Sequence, residues 1–159
     1  DVYKRQGHIF SVHLVMSDYE SGQRFYRGTL GMVTMLEKSV RSGAYHTVWN
    51  LPADALVRVE IDRGDVPAIA FGGVELHGHI PSVIDPTPLS IDRFDGGCCL
   101  TTFLTKDLDA AYDAVSRSKE ATILSQPMIV NDAPYGRRRA FVCAGPAGEW
   151  LEISEVWEP

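Results

Sequence analysis

Basic residues are scarce, cysteines number three, and no apolar run is long enough to cross a bilayer. Each shortage removes a class of function. Lys and Arg total 15 against 21 Asp and Glu, a formal charge of -6. Neutralising a phosphate backbone takes a cluster of Lys and Arg, so no nucleic-acid partner is expected. The one basic run, Arg137-Arg138-Arg139, would alternate faces if it lies in a strand. It is either a solvated strand end or an anion clamp whose guanidinium grips a carboxylate or phosphate.

The cysteines Cys98, Cys99 and Cys143 are odd in number and lack zinc spacing. Cys98 and Cys99 would face opposite sides of a strand and are read as small packing residues. With no secretory leader and no long apolar span, the expectation is a cytoplasmic protein with no membrane partner. Asp1 to Gln6 carry no apolar periodicity and are set aside as a disordered or artefactual leader.

What is present suits one globular domain: 159 residues, 45% apolar and 23% charged. His8 to Met16 reads as a strand with Phe10, Val12, Leu14 and Met16 on one face and Ser11, His13 and Val15 on the other. Ser17 and Glu20 form a capping-box pattern that opens a helix carrying Phe25, Tyr26 and Leu30, and Gly31 ends it. Short β-prone runs follow at Met32 to Ser39, Tyr45 to Leu51, Ala55 to Asp62 and Pro67 to His77. Gly72-Gly73 suggests a bulge or a close backbone approach.

A Pro-containing connector, residues 78–97, precedes a restart of the pattern. Cys98 to Thr105 reads as a strand and Asp107 to Ser118 as a helix with Leu108, Ala111, Tyr112 and Val115 along one side. Thr122 to Val130, Arg138 to Ala144 and Glu149 to Val156 read as three more strands. The element order thus repeats. The expected fold is α+β: two βαβββ modules, residues 7–77 and 98–159, forming a curved mixed sheet around a central cavity.

The stretches SDYESGQRFYRGTLGM (Ser17 to Met32), KDLDAAYDAV (Lys106 to Val115) and GPAGEWLEISE (Gly145 to Glu155) resemble, in this order and spacing, the vicinal oxygen chelate superfamily. That superfamily includes glyoxalase I, extradiol ring-cleaving dioxygenases and bleomycin- or fosfomycin-resistance proteins. The similarity spans Ile9 to Val156 by element order.

The resemblance implies a metal histidine on each module's first strand, seven positions before the Asp that opens the helix, and an acidic residue or histidine on each last strand. Counting back from Asp18 and Asp107 gives Ser11 and Leu100; the last strands give Glu75 and Glu152. A hydroxyl and a leucine make a poor first shell beside two carboxylates. The usual metal is therefore not expected, and no cofactor is.

A displaced divalent-metal set remains, His13, Glu75, His77 and Glu152, each histidine two residues along its strand from the implied position or from Glu75. Two residues of strand move a ligand by about 6 to 7 Å, more than metal bonding tolerates.

A carboxylate between apolar neighbours on a buried strand is costly unless paired, coordinated or protonated. Glu152, Glu75 and His13 are accordingly the candidate catalytic groups, with a carboxylate or the imidazole as general base. The glutamates have a plainer alternative, pairing with Arg58 or Arg138. Ser11, Trp49, His77, Leu100, Thr102, Tyr135 and Arg138 are the candidate ligand-binding residues; His46 would stand at a cavity entrance, and His79 would be exposed.

The resemblance then implies a glyoxalase- or bleomycin-resistance-like protein that binds a small, partly apolar organic molecule between its modules without the usual metal. The alternative is a lyase, isomerase or dioxygenase using His13, Glu75, His77 and Glu152. Exposed sheet edges leave room for a homodimer.

Overall fold

The structure is a computed structural model, and it describes residues 11–41, 43–64, 73–80, 100–132 and 136–155. The leader, His8, Cys98, Cys99, Tyr135, Trp157 and nearly all of the connector lie outside the described residues. Nine strands and three α-helices occupy the described part. They are β1 (Ser11–Val15), α1 (Tyr19–Gln23), β2 (Val33–Val40), α2 (Gly43–Trp49), β3 (Leu56–Arg63), β4 (Gly73–Ile80), β5 (Leu100–Thr105), α3 (Leu108–Arg117), β6 (Thr122–Ile123), β7 (Met128–Asp132), β8 (Gly136–Ala144) and β9 (Trp150–Glu155). The class is α+β with two separate mixed sheets.

The chain divides into two compact units, one of Asp1–Tyr19 with Gly31–Pro86, the other of Glu20–Leu30 with Thr87–Pro159. In the first, the sheet order is β1-β4-β3-β2. In the second it is β5-β9-β8-β6, with β7 also on β8. Both sheets pair their first strand parallel to their last, β1 with β4 and β5 with β9. A parallel pair demands a long crossover, which is why each first strand feeds a helix rather than a hairpin.

α1 continues directly into a π-helical turn, Arg24–Thr29. Its wide winding places the neighbours Phe25 and Tyr26 both out of water. Gly31 follows at φ 69°, a left-handed position that a side chain resists and a glycine accepts. The Asp107 carboxylate accepts from the Ala110 N–H at 2.9 Å and caps α3, a contact worth about 1 kcal/mol. Leu108 and Val115 are the buried side chains of that helix.

Three sequence expectations change. Tyr45 to Leu51 is not a strand: Gly43–Trp49 is α2, although its Tyr, Thr, Val and Trp favour strands. Tertiary bonding overrides that weak preference, because His46 Nε2 lies 3.0 Å from the Ala55 carbonyl and holds the helix to the start of β3. Thr122 to Val130 is two strands. Pro127 lacks the N–H a continuous ladder needs, and the Ser125 hydroxyl accepts from the Val142 N–H at 2.9 Å across the gap. His79 is not exposed; it lies inside β4 and is buried.

No helix among the described residues is long and apolar enough to cross a membrane. Cys143 is free and buried, and burial pushes its thiol up to about 12, so it is a packing residue and not a nucleophile.

Candidate functional site

Parallel pairing of β1 with β4 sets Ser11 opposite Gly73, His13 opposite Glu75 and Val15 opposite His77. Side chains alternate along a strand, so Ser11, His13 and Val15 share one face of the sheet with Glu75, His77 and His79. The other face carries Val12, Leu14, Val74 and Leu76, the apolar set that drives burial. Glu60 and Asp62 are buried on that face too, opposite Leu76 and Val74, so both faces hold buried polar groups, and the histidine donors gather on the first.

Glu75 is the hub of that first face. Its Oε1 lies 2.8 Å from His77 Nε2, and its Oε2 lies 3.1 Å from His13 Nε2. The Ser11 hydroxyl donates to the same Oε2 at 3.4 Å. The two imidazoles stack, with centroids 5.2 Å apart and planes 22° from parallel. Tyr45, on α2, sets its ring nearly perpendicular to that of His77, with centroids 5.4 Å apart. His77 is fully buried, whereas His13 is half-exposed, which gives the cluster one sealed side and one open side.

Burial lowers the pKa of His77; the hydrogen bond and charge of Glu75 oppose the shift and His13 adds to it. His79 is lowered by burial and by His77. Both rings are thus held toward the neutral form, in which an imidazole nitrogen has a lone pair to donate.

One ligand atom each from His13, Glu75 and His77 lie within 4.8 Å of one another. Donors bound to one ion at about 2.1 Å stand roughly 3 to 4 Å apart, so a small contraction suffices and the set fits a divalent metal. Two histidines and one carboxylate suit zinc, iron, nickel or manganese. The two-residue displacement that seemed to scatter the ligands does not, because the parallel register carries His13 along to stand opposite Glu75.

In the second unit Leu100 lies opposite Trp150 and Thr102 opposite Glu152. Leu100 is exposed. The Thr102 hydroxyl donates to Glu152 Oε1 at 3.2 Å, and Arg138 Nη2 lies 3.0 Å from both carboxylate oxygens. Of the alternatives for Glu152, then, the ion pair with Arg138 is the one present. Arg138 is buried rather than a solvated strand end. Arg139 points to the opposite face and bridges Asp109 at 2.6 Å and Glu155 at 3.4 Å, tying α3 to the sheet.

Of the remaining candidates, His46 is engaged by the Ala55 carbonyl, as above. Trp49 is the last residue of α2, with a side chain outside those described, and Tyr135 is outside the described residues. Tyr45 was missed. Reading its segment as a strand hid it; a helix reading of Gly43–Trp49 would have raised it over the sheet.

No family model and no curated protein matches the chain. Solved structures do. A glyoxalase family protein from Bacillus cereus superposes with a TM-score of 0.71 at 14% identity, covering 97% of each chain. A member of the glyoxalase/bleomycin resistance protein/dioxygenase superfamily from Sphaerobacter thermophilus gives a TM-score of 0.54 at 23% identity, over 94% of this chain and 98% of that one. A glyoxalase I variant from Zea mays gives 0.58 at 17% identity, covering 91% of this chain and 44% of the maize protein. Likeness at such identities speaks for the fold.

Proposed function

Starting from the vicinal oxygen chelate fold that this chain has, we propose that it binds one divalent transition-metal ion through His13, Glu75 and His77 and, with it, a small, partly apolar organic molecule bearing oxygen donors. The observation that carries the proposal is the convergence of the three side chains within 4.8 Å on one sheet face. Such an ion, when bound, supplies Lewis-acid polarisation of a ligand oxygen.

The chain's own residues account for the rest. Glu75, bracketed by two imidazoles, holds both rings toward one point. Ser11 steadies its Oε2, the oxygen shared with His13. Tyr45 and the buried ring of His77 keep water from one side, and half-exposed His13 marks the side from which a ligand would enter. Lyase, isomerase or dioxygenase chemistry on the bound molecule is the reaction class such a donor set would serve. The reading places the protein in a reducing compartment, in keeping with the free Cys143.

Protein purified without chelators and titrated with cobalt(II), followed by its visible absorption, tests the proposal. One equivalent per chain is expected, lost in Glu75→Gln. No uptake, or equal uptake by the variant, would sink it and would leave metal-free sequestration of the organic molecule as the function.

A further inference from the structure

The two units carry the same positions with different residues, and the difference is chemically directed. His13 and Thr102 stand five residues before Asp18 and Asp107, and they lie opposite Glu75 and Glu152 in equivalent parallel ladders. Two residues beyond each glutamate come His77 and Ser154. On the neighbouring strands Val59 lies opposite His77 and Ala140 opposite Ser154. Arg138, two residues before Ala140, therefore holds the place of Val57, two residues before Val59.

Both glutamates are nearly withdrawn from water, with side chains 10% and 12% exposed. A carboxylate so placed needs a positive partner. Among the described residues Glu75 is met by Ser11, His13 and His77, none of which carries a permanent charge. Glu152 is met by the Arg138 guanidinium, which is always charged and takes both oxygens, and by Thr102.

We propose that Arg138 is a specificity-determining residue that closes the second unit's copy of the donor site: its guanidinium takes the cation's place against Glu152, so the chain accepts one metal ion, in the first unit only. This rests on the metal reading of His13, Glu75 and His77. It explains why Thr102 and Ser154 replace the two histidines, since with the carboxylate already neutralised a lone-pair donor there has nothing to hold. It also assigns the aliphatic Val57 a function, which is to leave Glu75 without a guanidinium.

Cobalt(II) stoichiometry on the full chain tests it. Wild type is expected to take one equivalent. Thr102→His with Ser154→His, Arg138 retained, should still take one. Adding Arg138→Val, which copies Val57, should raise the count to two. If the valine version does not fold by far-UV circular dichroism, Arg138→Gln in the same background removes the charge while keeping most of the volume. The reciprocal change, Val57→Arg, should abolish the first equivalent. The inference is overturned if wild type or the double variant takes two, if a folded triple variant stays at one, or if Val57→Arg leaves cobalt uptake unchanged. Wild type taking none would bring down the metal reading itself, an outcome distinct from these.

Discussion

His13 faces Glu75 across a parallel strand pair, with Nε2 3.1 Å from the carboxylate, and the pairing register rather than any loop fixes that approach. A site built on two hydrogen-bonded strands is more rigid than one built on loops. Removing a donor from it is correspondingly costly. His13→Ala is expected to weaken cobalt(II) binding by at least about 100-fold, above the range for second-shell partners. The half-exposed position of His13 means that urea unfolding should show little change in midpoint. A large stability loss with unchanged affinity would assign His13 to packing instead.

Tyr45 should separate orientation from chemistry. Its ring stands nearly perpendicular to that of His77, with centroids 5.4 Å apart, and phenylalanine keeps that ring. Tyr45→Phe is therefore expected to keep metal affinity, while Tyr45→Ala loses about 10-fold, as supporting contacts around a ligand imidazole commonly do. The cobalt absorption band would shift in the alanine variant as His77 reorients. An unmoved band would dissociate Tyr45 from the site.

Gly78 is a packing constraint on the other face of the same sheet, opposite Arg58. A Cβ there would lie 2.6 Å from Tyr19 Cδ2 and 2.9 Å from its Cβ and Cγ, too close for either to remain in place. The Tyr19 ring is fixed from elsewhere. Its hydroxyl donates to buried Glu60 at 3.3 Å, and the Arg58 guanidinium lies 4.0 Å above its centroid. Gly78→Ala should destabilise by about 1 to 3 kcal/mol. Chemical denaturation would show it as a lower midpoint with an unchanged slope.

The sequence carried the strands of the site well and their contacts poorly, for reasons visible in particular residues. Alternation along His8 to Met16 gave the shared face of Ser11 and His13, because side-chain period 2 is a local property. The partnership of His13 with Glu75 is not local; it depends on a register between strands 62 positions apart in the sequence. Counting only within strands made a displaced histidine look lost, when both members of the pair belong to one shifted rung. α2 was illegible for a different reason. Its β-prone composition misled, and the bond from His46 to the Ala55 carbonyl that favours the helix appears only in three dimensions. The pairing of Glu152 with Arg138 was among the alternatives the residues allowed, and folding selected it.

The last expectation concerns Glu149, in the turn before β9. Its carboxylate accepts from the Tyr26 hydroxyl and, at 2.8 Å, from the Ala147 N–H. It lies so close over Gly145 that a Cβ there would meet its oxygen. Desolvation raises its pKa, and the hydrogen bonds from Tyr26 and the backbone oppose the shift only in part. The folded chain therefore holds this proton more tightly than the unfolded chain does. Below the ordinary glutamate value both states are protonated and the stabilisation is complete. As the pH rises from there through the raised value, the unfolded state loses its proton first, and stability falls by at most about 1.4 kcal/mol per pH unit for one group. Glu149→Gln cannot ionise yet can still accept from Tyr26. In urea titrations across that window its stability should stay flat relative to wild type, so that the variant gains on the parent as the pH increases. Parallel curves for the two proteins would mean that Glu149 ionises equally well folded and unfolded.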